Sequence, residues 1–403
     1  MGSCTEEVEV RVLLTFAGGS GHAEPLVPIA SAVQAAGHSV AFAGRRSAVT
    51  PLEVHGFTLF PDPANATSGP ATTTPLLEID MEREFAVLRD AYADRFARVA
   101  ATRLLQLNEE WQPDVVACDE VDFGSMIAAE RLGLPHATVL VTATGSFVRP
   151  EVVAKPLDAL RAKHGLPADP GLAMLARDLV LSPFPPSFRD PACPLPPNTL
   201  SIRSGTVDSA AAADAPPWVP PRPDRPNVYF TLGTVFNEES GDLFTRVLAG
   251  LRELPINVVV TIGRGLDAEV VGRQPENVQV ERYIPQSALL PSCDLMINHG
   301  GSGSVIGALA HGVPMVVLPL GADQPLNAAR CEELNVGIVL DAVTATSESV
   351  TEAATTVLRE PNYRVAAQRI RDEIAALPGA EAAVPLLEGL LHKGTTLRPM
   401  RPH

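Results

Sequence analysis

A β-rich run that ends in a glycine turn and continues as an amphipathic helix leaves a chain few folds to choose from, and this sequence contains that arrangement twice. The first copy begins with the apolar run Val8 to Phe16, followed by Gly18-Gly19-Ser20-Gly21. Leu26, Ile29, Ala30 and Val33 then repeat at helical spacing, Gly37-His38 ends the helix, and Ser39 to Ala43 reads as a second strand. A βαβ unit of this length requires parallel strands. Further strand signals lie at Asp114 to Cys118 and His136 to Thr142, with a helix from Ser125 to Leu132 closed by Gly133. Between them, Ala64 to Thr74 is rich in Thr, Ala and Pro and reads as a loop, and Glu78 to Glu110 is helical by composition without a readable face.

The alternation then stops. Thirteen prolines fall between Pro183 and Pro226, which rules out regular helix or central strand and marks a linker. After it the pattern restarts, with strand signals at Asn227 to Leu232, Asn257 to Ile262, Val278 to Ile284, Leu295 to Asn298, Met315 to Leu318 and Ile338 to Leu340. Helices are expected between them, including Asp242 to Leu254 and Leu326 to Leu334. The fold class is therefore α/β, with two doubly wound Rossmann-like domains facing across a cleft. The boundaries fall at 1–205 for the first domain, 206–226 for the linker and 227–403 for the second. The helical segment Arg364 to His392 ends the chain, and its last helix is read as crossing back to the first domain. In such sheets ligands bind beyond the C-terminal strand ends.

Composition narrows the function. At 403 residues and 46% hydrophobic content there is apolar material for two cores, and the formal net charge of −16 argues against a nucleic-acid partner. The five cysteines are scattered and form no CxxC pair, so neither a zinc site nor a disulfide framework is expected. Met1 to Val10 lacks a basic n-region, and no apolar stretch reaches the roughly 18 residues of a membrane span. A cytoplasmic protein without stable membrane insertion is the expectation, with the sequon Asn65-Ala66-Thr67 silent; a homodimer is left open.

The strongest motif is His299-Gly300-Gly301-Ser302-Gly303-Ser304, placed after a strand and at the start of a helix. Such a turn presents unpaired N–H groups and the positive end of the helix dipole to an anion, and glycines let phosphate oxygens approach. An esterase reading would need a G-x-S-x-G elbow, and none is present. The dinucleotide fingerprint fails because Ile306 stands where its last glycine would be. Tyr283-Ile284-Pro285-Gln286 lies upstream at a strand end, where Tyr283 can stack on a nucleobase and the Ile284 backbone can read its edge. Asp323-Gln324, beyond another strand, offers a carboxylate and an amide to sugar hydroxyls.

Together these segments resemble the donor signature of family 1 GT-B glycosyltransferases, in particular the actinobacterial enzymes that decorate antibiotics and other natural products. The resemblance spans essentially the whole chain and includes Thr231-Leu232-Gly233-Thr234. It implies that Thr234, His299, Gly301, Ser302, Gly303 and Ser304 hold a diphosphate, that Tyr283, Ile284 and Gln286 belong to the donor site, and that Asp323 and Gln324 hold the sugar. Relatives that use UDP-sugars often carry Glu eight positions after the motif histidine to hold the ribose hydroxyls. Here that position is Gly307, so a dTDP-sugar is the expected co-substrate, with a UDP-sugar as the alternative. No metal and no further cofactor are expected.

In the first domain, the glycine turn ends in His22, a residue suited to accept a proton near neutral pH. Its orienting carboxylate is sought among Asp119, Glu120 and Asp122, after the strand Val115 to Cys118; Asp119 is preferred because it comes first. The resemblance implies the same His–Asp pair, single displacement and inversion. Thr142, Thr144 and Phe147 are candidates for the wall of a site for a small, apolar, hydroxylated acceptor. The histidine favours O-transfer, with N- and C-transfer open. A nucleotide-sugar epimerase, a cell-wall lipid glycosyltransferase and a non-catalytic transferase-like partner are the competing readings.

Overall fold

The computed structural model describes residues 9–63, 73–203, 218, 220–234 and 236–393. The sequon, Cys4, nearly all of the loop Ala64 to Thr74 and most of the linker 206–226 lie outside the described residues.

Two all-parallel sheets carry the fold. The first contains β1 (Arg11–Thr15), β2 (Ser39–Gly44), β3 (Thr58–Pro61), β4 (Val115–Asp119), β5 (His136–Val139), β6 (Leu179–Ser182) and β7 (Thr199–Ser201) in the order 3-2-1-4-5-6-7. The second contains β8 (Asn227–Thr231), β9 (Asn257–Thr261), β10 (Val278–Glu281), β11 (Leu295–Asn298), β12 (Met315–Val317) and β13 (Gly337–Val339) in the order 10-9-8-11-12-13. The central strands are buried on both faces, which is why they read as unbroken apolar runs such as Val115-Val116-Ala117-Cys118.

Strand order reverses direction between β1 and β4 in the first sheet, where Leu13 pairs with Val116, and between β8 and β11 in the second, where Ile297 pairs with Phe230. Chains leaving neighbouring strands toward opposite sheet faces open a crevice there. The turn Gly18 to Gly21 follows β1 and Asp119 closes β4; Gly233-Thr234 follows β8 and His299 follows β11. Both motifs thus stand at switch points.

Several elements differ from the sequence reading. β3, β6 and β7 were not expected. β7 lies inside the proline-rich stretch at an edge of the sheet, in a proline-free gap after Pro196 and Pro197 whose residues Thr199, Leu200 and Ser201 all keep their N–H donors. β5 ends at Val139, which leaves Thr142 in the following loop, and β10 ends before Tyr283. Helix Gln324–Glu333 starts two residues earlier than expected, with Asp323 as its N-cap residue. The segment 361–393 is two helices, Pro361–Ala376 and Val384–Lys393, parted around Pro378. Among the described residues no single helix is long and apolar enough to cross a membrane.

The C-terminal helix returns to the first sheet. Val384, Leu387 and Leu390 share a core cluster with Val27, Ile29 and Val33 of helix Val27–Ala35, and His38 Nε2 lies 2.8 Å from Glu388 Oε1.

Candidate active site

His22 sits in the one-turn helix Ser20–Ala23 directly after the first glycine turn. Its Nδ1 is 2.9 Å from Asp119 Oδ2. Asp119 is fully buried and is fixed by two backbone donors, Ala17 N–H to Oδ2 at 3.0 Å and Val121 N–H to Oδ1 at 2.8 Å. The His22 ring lies against Gly18 so closely that a Cβ there would stand 2.0 Å from its Cδ2; only glycine leaves the ring room. Tyr92 stacks on the ring at 6.0 Å between centroids. The imidazole side chain is 26% exposed, so it is gripped yet reachable. Burial by itself pushes its pKa down, but the Asp119 charge and hydrogen bond, with the charges of Asp323 and Glu120, outweigh this and hold it above the usual value.

The neighbouring carboxylates point elsewhere. Glu120 accepts the Thr142 N–H at 3.1 Å and the Thr142 hydroxyl, and burial lifts its pKa to about 7. Asp122 caps helix Phe123–Leu132 through Ser125 N–H, and burial lifts it to about 6. Of the three, only Asp119 meets His22.

Across the cleft, helix Ser302–Ala310 begins at Gly301 without a side-chain cap, so its first N–H groups find no side-chain acceptor. The space beside Gly303 is open. His299 is buried, and its ring packs on Gly233 and Gly301; Gly233 has φ +78°, and a Cβ on it would stand 2.6 Å from His299 Cε1. Burial lowers the His299 pKa to about 4, so the ring is neutral at physiological pH, and its Nδ1 has no partner. Ser304 lies buried in the same helix turn. Thr234 is exposed, with its Oγ1 3.3 Å from Ser20 Oγ of the first domain.

Two side chains depart from the expected roles. The Ser302 hydroxyl donates to Asp323 Oδ2 at 2.7 Å and accepts from Asn327 and from Ala143 N–H of the first domain, so only its backbone N–H is free to meet an anion. Gln324 is 2% exposed, and its Oε1 accepts the Leu320 and Gly321 N–H groups, so that oxygen braces its own loop instead of facing a sugar. Asp323 stays in the cleft, and its charge reaches His22.

Sequence reading missed Asn327. Fully buried, it donates from Nδ2 to Gly300 O, Ser302 Oγ and Asp323 Oδ2, joining the glycine turn to the Asp323 loop. Its i, i+4 spacing from Asp323 on one helix face was the available signal. Tyr283 is 39% exposed, with the Arg264 guanidinium 4.0 Å from its ring centre. Ile284 is partly buried against the second-domain core, and Gln286 Oε1 lies 3.2 Å from where a Cβ on Gly307 would stand. The three residues expected at the acceptor wall are all buried: Thr142 is committed to Glu120, Thr144 accepts from the Ser146 hydroxyl, and Phe147 packs on Phe85. Among the described residues, no group of three or more His, Cys, Asp or Glu side chains could hold a metal ion.

The comparisons with known proteins agree with this architecture. The family described as "Erythromycin biosynthesis protein CIII-like, C-terminal domain" matches residues 245–390. The 4'-demethylrebeccamycin synthase of Lentzea aerocolonigenes is 32% identical over 94% of this chain and 99% of its own length. The glycosyltransferase SnogD of Streptomyces nogalater superposes with a TM-score of 0.75 at 25% identity, over 95% of this chain and all of its own. The glycosyltransferase VinC, solved in complex with dTDP, superposes at 0.71, also with 25% identity over 95% of this chain and all of its own.

Proposed function

The chain belongs to the GT-B natural-product glycosyltransferases, and from that premise we propose that it moves a hexose from a dTDP-sugar to a hydroxyl of a small apolar aglycone, with inversion and without a metal. The observation that carries the reading is the pairing of His22 Nδ1 with the buried Asp119, facing an uncapped helix start across one shared cleft. Two hydrogen-bonding contacts span that cleft beside these groups, Ser20 to Thr234 and Ala143 to Ser302.

Asp119 accepts from Nδ1–H and so leaves Nε2 with its lone pair toward the acceptor. As the acceptor oxygen attacks the anomeric carbon, Nε2 takes its proton and Asp119 stabilises the imidazolium. The bond from the anomeric carbon to the diphosphate breaks on the opposite face. Charge growing on the leaving diphosphate meets the N–H groups of Ser302, Gly303 and Ser304, the Thr234 hydroxyl and neutral His299. Its orphaned, buried Nδ1 fits a ring that completes its hydrogen bonding only with the donor bound. Asp323, whose charge reaches His22, is the group we assign to the transferred sugar.

The preference for dTDP rests on Gly307, which offers no carboxylate to ribose hydroxyls and has the Gln286 side-chain oxygen close by; VinC, solved with dTDP, is a relative of the same fold. With matched donors, kcat/KM for the dTDP-sugar is expected to exceed that for the UDP-sugar, and the reverse order would refute the preference. His22→Ala is expected to lower turnover by roughly 10²–10⁴-fold while dTDP binding, read by thermal shift, survives. Undiminished transfer by that variant would remove the imidazole from the mechanism.

A further inference from the structure

The first domain reaches into the second through the segment that precedes and opens helix Met81–Val87. Thr74 is bonded by its backbone on both sides, donating to Glu238 O at 2.7 Å and accepting from Gly241 N–H at 3.0 Å. Leu76 packs into the core of the second domain. At the far end of this strap, Glu84 extends its carboxylate across the cleft, where Oε2 accepts the Ala322 N–H at 2.9 Å. The Glu84 side chain is only 13% exposed.

Ala322 holds φ at +52°, a left-handed conformation unfavourable for a residue with a side chain. Its neighbour is Asp323. One peptide on, therefore, the carboxylate that faces His22 hangs on a backbone turn that is unfavourable by itself and whose N–H is satisfied by the other domain. Helix Met81–Val87 continues through Leu88–Phe96, and Tyr92 of that stretch stacks on His22. One helical rod thus touches both the sugar loop and the imidazole.

We propose that Glu84 is a positioning residue for transfer. By accepting the Ala322 amide across the cleft it braces the Asp323 loop in its left-handed turn, and so helps set the orientation of a carboxylate that Ser302 and Asn327 hold from within the second domain. The inference rests on the proposed transferase reading. It needs an acceptor atom at Glu84, not a negative charge.

The test compares Glu84→Ala and Glu84→Gln with wild type, using a dTDP-hexose and a hydroxylated aromatic aglycone that wild type glycosylates, with dTDP affinity measured separately by calorimetry. Glu84→Ala should lower kcat about tenfold, with dTDP affinity unchanged because the phosphate turn is untouched. Glu84→Gln, whose amide oxygen can still accept, should restore most of the loss. Unchanged kcat in Glu84→Ala would overturn the proposal. So would Glu84→Gln failing as badly as Glu84→Ala, or dTDP affinity falling in parallel with turnover. A merely structural role would lower dTDP affinity and turnover together and gain little from glutamine. A wild-type protein that transfers no sugar would defeat the transferase reading, whereas a transferring wild type with an indifferent Glu84→Ala defeats this inference alone.

Discussion

Asp119 decides the state of His22. Its two backbone donors leave it no freedom to turn, and its charge keeps the imidazole pKa above the ordinary 6.5. A base must be neutral to accept a proton, so the acid limb of the kcat/KM–pH profile should lie above that value. Asp119→Asn removes the largest of the groups that raise the pKa against burial, leaving only the weaker charges of Asp323 and Glu120, so the limb should move to lower pH while turnover falls by about 10²-fold or more. The pH profiles of both proteins check this, and an unmoved limb would assign it to another group. The same raised pKa gives His22 a stabilising contribution that is complete below the unfolded value and is lost as pH rises through the folded one. That Asp119 and not Glu120 serves His22 was beyond the sequence, where three carboxylates stand within four positions. Glu120, in the turn directly after β4, instead accepts from Thr142. Asp122 is claimed by the helix that follows. The glycine turns, His22, His299 and Asp323 were legible because strand-to-helix junctions leave a signature in residue order. Glu84, Tyr92 and Ala143 meet the site only through tertiary packing and leave none.

At the scale of elements, the central strands were readable because a parallel sheet buried on both faces needs continuous apolar residues. β6 and β7 escaped, one lying next to the proline-rich stretch and the other within it. The faces of Glu78 to Glu110 could not be placed for a specific reason. The rod contains the π-helical segment Leu88–Phe96, which breaks the 3.6-residue period on which face assignment depends. The phase of the apolar stripe before it does not carry over to the helix after it, Ala97–Glu110. The terminal helix Val384–Lys393 belongs by sequence to the second domain and by packing to the first. Leu387 is 1% exposed among first-domain residues. Leu387→Ala should therefore cost about 2–5 kcal/mol, measured by denaturant unfolding. Little change in the midpoint would show that the helix is not anchored there.

Taken whole, the molecule is two sheets whose switch points face each other, bridged beside the cleft at Ser20–Thr234, Ala143–Ser302 and Glu84–Ala322. All three are polar contacts with a hydroxyl or carboxylate on at least one side. Such contacts exchange readily with water. Further ties lie in the backbone bonds of Thr74, in the returning C-terminal helix, and in an apolar cluster that Leu140, Phe184 and Phe188 of the first domain share with Met296, Ile370 and Ile374.

That returning helix bears on the construction of hybrids. Swapping halves at the proline-rich stretch between relatives would import a foreign helix into the recipient's first-domain core, where Val384, Leu387 and Leu390 must fit against Val27 and Ile29. A chimera cut at one point would inherit that misfit; one cut at two, near the stretch and again near Gly379, would keep each core with the residues that evolved beside it.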